Sequence, residues 1–299
     1  MLDYGSKRIL IVDDTASIHQ DFRKILCADP NGKPSLESLE ETLFGTTAKA
    51  RQLGVIDVEA PSALLAVSGA DIVLVAVPVA ATEDTFKAIR HLLTPQTLLM
   101  DVGSTKSDVV AAAQRVLRDH LTGFVPAHPI AGKEVAGVEH ADADLYVNRQ
   151  VILTPTEHTS PTHADRAEQL WRALGAQVLR MSPQQHDATY AAVSHLPHLL
   201  AFAYINGLAS QPQGQQFMAM AGPGFRDFSR IAASDPSVWR DILVSNREEL
   251  LAQSKHFQRA LHALEVAITS GNPDALEALI EQASSTRAQW RMTAIKPQS

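Results

Sequence analysis

Apolar residues fall in short unbroken runs along the first half of the chain and in long periodic stripes along the second. The runs KRILIVDD (7–14), DIVLVAVPV (71–79), TLLMDVGS (97–104), FVPAHP (124–129) and RQVILTP (149–155) are rich in β-branched residues and too short for helices. Each predicts a strand buried on both faces. Between them SDVVAAAQRVLRDHL (107–121) repeats at helical spacing, with Val109, Val110, Ala113 and Val116 inward and Ser107 as the expected N-cap. Further helices are predicted over 15–27 and 35–53, either side of a Pro/Gly/Asn-rich loop at 28–34.

Strands alternating with helices predict an α/β fold, a Rossmann-like doubly wound parallel sheet. After about residue 160 the texture changes. Apart from a short strand near Gln177–Arg180, helical stripes dominate over 186–210, 236–270 and 273–291. The expected division is therefore a nucleotide-binding domain over 1–158, atypical in 1–45, and an all-helical domain over 159–299. The long apolar faces of the second fill its own core or meet another copy, and a homodimer through this domain is the expectation.

A net charge of −7 without any Lys/Arg-rich run speaks against a nucleic-acid partner. Cys27 is the sole cysteine, which rules out an internal disulfide and a Cys-based zinc site. No apolar run approaches the ~18–20 residues of a membrane span, and the N-terminus carries no secretory pattern. A cytoplasmic protein without membrane or metal partners is expected.

Five segments, in order, carry a resemblance: DVGSTK (101–106), HPIAGKEVAGVE (128–139), LYVNRQVILTP (145–155), SHLPHLLAF (194–202) and GFRDFSRIAASDPSVWRDI (224–242). Together they resemble the prephenate dehydrogenase family over roughly residues 46–295. The resemblance implies NAD or NADP as cofactor and prephenate as substrate, with arogenate as the alternative. The reaction removes hydride from the ring carbon bearing the hydroxyl while the ring carboxylate leaves as CO2. Such a site polarises a hydroxyl, holds two carboxylates and sets a ring against a nicotinamide.

The resemblance implies that His128 accepts the hydroxyl proton, a task suited to a neutral imidazole at a strand end. Ser104 is implied beside it, as a hydroxyl able to donate and accept. Arg230 is implied to clasp the side-chain carboxylate through its planar fork, unless it pairs with Asp227 or Asp235. His195 and His198 sit one helical turn apart and are implied at the substrate, as is Glu134. Val77, Pro78, Gly103 and Ser104 are the implied cofactor contacts.

One part of the chain departs from that family. Dinucleotide-binding domains open on a strand, a G-x-G-x-x-G turn and a helix, and no such motif is present. Residues 7–45 instead resemble the start of a response-regulator receiver domain, with Asp13 and Asp14 as its acidic pair. The implied account is a fusion in which a receiver's first strand replaces the lost one. A non-catalytic chimera with little cofactor affinity is the alternative reading.

Overall fold

The computed structural model describes residues 9–13, 52–58, 60, 62–132 and 140–291. The helices expected over 15–27 and 35–53 lie, but for residues 52–53, outside the described residues, as does Glu134. Six strands form one sheet in the order β1 (Ile9–Asp13), β2 (Ile72–Ala76), β3 (Leu98–Asp101), β4 (Phe124–Pro129), β5 (Gln150–Leu153) and β6 (Gln177–Arg180). Every apolar run named above supplies one of them.

Strands β1 to β4 are mutually parallel, and so are β5 and β6. The expected all-parallel sheet is corrected at one place: β5 runs antiparallel to β4, with His128 opposite Ile152. A parallel neighbour needs a crossover, usually a helix. The described part of the connection, residues 130–132 and 140–149, contains turns and no α-helix.

Helices cover both faces. On one, Val73, Val75, Leu99 and Phe124 pack with Phe86 and Ile89 of α2 (Thr82–Ile89) and Val109, Ala113 and Val116 of α3 (Ser107–Val116). α1 (Ala63–Val67) adds Val67 to that face. On the other, Ile72, Leu98, Met100, Val125, Val151 and Leu153 pack with Ala167, Leu170 and Trp171 of α4 (Pro161–Ala173). Ser107 proves to be the first residue of α3 rather than its cap, a position taken by Lys106, which makes no side-chain capping bond.

The first compact unit runs to His186 and the second from Asp187 to Ser299, so the first extends beyond the boundary expected at 158. The reason is physical: β6 pairs with β5 along its whole length, and α4 buries Trp171 against the sheet. These elements complete the first core.

The second unit is helical. The division falls within α5 (Pro183–Tyr190), which leads into one π-helical turn, Ala191–His195, and then α6 (Leu196–Ala209). Proline at 197 has no N–H and crowds the carbonyl four residues back, so a regular α-turn is unfavourable there. The wider turn, closed by Leu196 N–H on the Ala191 carbonyl, accommodates it. α7 (Gly214–Ala219), α8 (Pro223–Ser229), a 3-10 turn (Arg230–Ala233), α9 (Pro236–Ser245), α10 (Arg247–Thr269) and α11 (Pro273–Gln289) follow. The single stripe expected over 236–270 is thus interrupted at Asn246.

Candidate active site

β2, β3 and β4 end at one edge of the sheet, with Val75 level with Asp101 and Asp101 level with Pro126. This carboxyl edge is where open α/β sheets bind ligands, and it carries Val77 and Pro78, Gly103 and Ser104, and His128. Val77 is half-buried against the core. The Pro78 carbonyl starts the following turn by accepting from Ala81 N–H at 2.8 Å.

Gly103 lies where a side chain would crowd: an added Cβ would sit 3.1 Å from Asp101 Oδ2 and 3.3 Å from Val79 Cγ2. Its N–H donates to Asp101 Oδ2 at 2.9 Å. Asp101 also forms an ion pair with Lys106, both side chains being essentially unexposed. Burial pushes the Asp101 carboxyl above the usual carboxylate range, against the pull of the Lys106 ammonium and of the Gly103 and Ala127 N–H groups. The pair closes the 101–106 loop, and Ser104 stands half-buried within it.

His128 is half-buried at the end of β4. Its Nδ1 lies 2.8 Å from Nε2 of His186, and the two rings meet edge to face with centroids 5.1 Å apart. His186, in α5, is wholly buried. The resemblance pairs His128 with Ser104; the hydrogen bond observed at Nδ1 is to His186, a residue the sequence reading did not single out.

In the second unit, His195 and His198 both meet Trp239. His198 stacks on the indole, centroids 3.4 Å apart and planes 17° off parallel, and His195 approaches it edge-on at 6.2 Å. His198 Nδ1 lies 2.9 Å from the Ser194 carbonyl, to which it must donate, so the acceptor lone pair of the neutral ring is at Nε2. Burial pushes the His198 ring below the ordinary imidazole range, partly offset by that carbonyl. His195 is only 1% exposed, and Asn246 Nδ2 lies 3.1 Å from its Nδ1. The same amide donates to the Asp187 carbonyl at 2.8 Å. Trp239 and Asn246 were not anticipated, although Trp239 lies inside a quoted segment.

Arg230 is exposed at the start of its 3-10 turn. Asp227 pairs with Arg226 at 3.3 Å, and Asp235 caps α9 by accepting from the Ser237 and Val238 N–H groups. Among the described residues no group of three or more His, Cys, Asp or Glu side chains is arranged to hold a metal ion.

The sequence matches the family described as prephenate dehydrogenase, nucleotide-binding domain, over residues 40–180. It matches prephenate dehydrogenase, dimerization domain, over residues 182–282. The chain belongs to the prephenate dehydrogenase family. Cyclohexadienyl dehydrogenase of Zymomonas mobilis is 35% identical over 71% of this chain and 72% of its own. Prephenate dehydrogenase of Bacillus subtilis is 33% identical over 76% of this chain, which spans 62% of that enzyme's length.

Among solved structures, prephenate dehydrogenase from A. aeolicus, in complex with hydroxyphenyl propionate and NAD+, is 30% identical with a TM-score of 0.79. That likeness covers 95% of this chain and 98% of the other. As a member of this family the chain is an NAD(P)-dependent oxidoreductase with a Rossmann-like domain followed by a helical one. The family match begins at residue 40, so β1 lies ahead of it. No helix among the described residues is long and apolar enough to cross a membrane.

Proposed function

We propose that this prephenate dehydrogenase family member oxidises prephenate to 4-hydroxyphenylpyruvate, with His128 as the group that accepts the substrate hydroxyl proton. The observation that carries the reading is the position of His128 at the carboxyl edge of a nucleotide-binding sheet, with its Nδ1 engaged by His186. When bound, the nicotinamide supplies the hydride acceptor. The proton goes to His128 Nε2 as the carbinol carbon becomes a carbonyl. The electron pair of the ring–carboxylate bond then closes the aromatic ring as CO2 departs, and the carbonyl oxygen, now a phenolate, regains a proton to give the phenol. Ser104 orients the hydroxyl, Arg230 binds the side-chain carboxylate through its fork, and His198 offers its Nε2 to the substrate. Glu134 belongs to the same proposed set, while the burial of His195 and its bond to Asn246 favour a supporting role.

The residues at the sheet edge suit the nicotinamide end of NAD or NADP. The crowded side of Gly103 is tied to Asp101, and Val77, Pro78, Gly103 and Ser104 stand at adjoining strand ends. The diphosphate end has no glycine-rich turn, and Asp13 and Asp14 occupy its place in the sequence. Exposed apolar residues of the second unit support a homodimer through the helical domain: Leu251, Ile268 and Ile280 are each more than half exposed, and α6 buries only Ala201. A cytoplasmic setting suits a chain with one cysteine.

The test is turnover with prephenate and, separately, arogenate, using NAD+ and NADP+. His128→Asn is expected to lower turnover by roughly 10²–10⁴-fold with little change in substrate affinity. Near-normal turnover in a folded His128→Asn protein would remove His128 from this role, and preference for arogenate would reassign the substrate.

A further inference from the structure

We propose that His186 is a positioning residue that accepts a hydrogen bond from His128 Nδ1–H and thereby holds the His128 lone pair at Nε2. The inference rests on the reading of His128 as proton acceptor. A 2.8 Å contact between two ring nitrogens admits two arrangements. If His186 donated, the neutral His128 ring would carry its proton on Nε2 and have no lone pair there to take one from a substrate. Only the arrangement in which His128 donates from Nδ1 leaves Nε2 basic.

The geometry favours a fixed partner. His186 is wholly buried in α5, and its backbone N–H donates to the Ser182 carbonyl at 3.0 Å. His128 is fixed in turn by the β4–β5 ladder, opposite Ile152, and Ile130, two residues on, donates its N–H to the Gln150 carbonyl at 2.8 Å. Two rings on anchored backbones, tilted by 61°, have little freedom to part. When His128 takes the proton, its Nδ1–H becomes part of a cation, and the bond to His186 becomes charge-assisted. The acceptor is in place before charge develops, which is the condition for electrostatic preorganisation. The role is that of the third member of a nucleophile–base–orienter set, here filled by a neutral ring instead of a carboxylate.

The first experiment is nitrogen NMR of the full-length protein labelled in histidine, with the His128 signals assigned by their loss in His128→Asn. The expected result is a neutral His128 protonated at Nδ1; protonation at Nε2 overturns the proposal. It needs neither cofactor nor activity, so it remains decisive even if His128→Asn shows that His128 is not the proton acceptor.

The second is the pH dependence of turnover. His186→Phe removes the acceptor and is expected to lower turnover on the order of 10-fold or more and to move the acid limb to lower pH. His186→Gln supplies an amide oxygen and is expected to restore both in large part. A folded His186→Phe with unchanged turnover and acid limb overturns the proposal. If His186→Phe does not fold, the NMR result and His186→Gln carry the decision.

Discussion

The Lys106 ammonium, without solvent exposure, donates to the backbone carbonyl of Ala127 at 2.8 Å. The N–H of the same residue donates to Asp101 Oδ1 at 3.3 Å. β3 ends at Asp101, opposite Pro126, so Ala127 has no β3 residue paired with it. The Asp101–Lys106 pair supplies the missing donor and acceptor, one residue before His128. Lys106→Met would leave a buried carboxylate unpaired and is expected to cost about 3–5 kcal/mol. Lys106→Met combined with Asp101→Leu is expected to cost less than Lys106→Met alone. Urea unfolding of the two variants checks this, and a double variant less stable than the single would contradict it.

Arg230→Ala is expected chiefly to raise KM for prephenate, because a carboxylate held in both ground and transition states contributes uniform binding. A loss of about 2–4 kcal/mol in kcat/KM is the expected scale. A variant altered only in thermal stability would make Arg230 structural.

Cofactor affinity is expected to be weak. Without phosphate-cradling glycines, and with Asp13 and Asp14 in their place in the sequence, NAD+ and NADP+ should bind ~100-fold or more weakly than to a member with the intact turn, about 3 kcal/mol. Isothermal titration decides. Micromolar affinity would mean that the segment has rebuilt a phosphate site.

Among the described residues, neither ring nitrogen of His163, buried in α4, has a partner in good hydrogen-bonding geometry. Burial, with Arg166 nearby, pushes it below the ordinary imidazole range, partly offset by the backbone of Gln96. Its folded value thus lies below its unfolded value of about 6.5. The unfolded chain then binds the proton more readily, so stability is full above that value and is lost as pH falls through the folded value. His163→Leu is expected to flatten the fall in Tm between about pH 7 and 5, with little loss at neutral pH. An unchanged slope would sink this account.

Much of the first unit was legible because parallel strands buried on both faces leave short unbroken apolar runs. Even the four-residue β6 showed itself between helical stripes. The reversal of β5 was not legible, since direction depends on the connection and not on the strand's own residues. His128 and Ser104 announced themselves at strand ends within quoted motifs. His186 did not: it sits in PQQHDATY, a helix without an apolar stripe, and meets His128 across 58 residues of chain. Trp239 had no role assigned within its segment, and only folding shows it stacked on His198.

The π turn at Ala191–His195 has a consequence for which sequence changes the second unit tolerates. It holds one more residue than an α-turn, which rotates everything after it by about 100° relative to Tyr190. Val193 lies in this turn with 66% of its surface exposed, so trimming its side chain should be silent. Deleting the residue is a different event. The helix would relax to regular pitch, and the faces of His195 and His198 would swing away from Trp239 and Asn246. Solvent exposure therefore marks Val193 as dispensable in composition while its place in the count is fixed, and lineages of this fold should vary the residue freely but conserve the spacing.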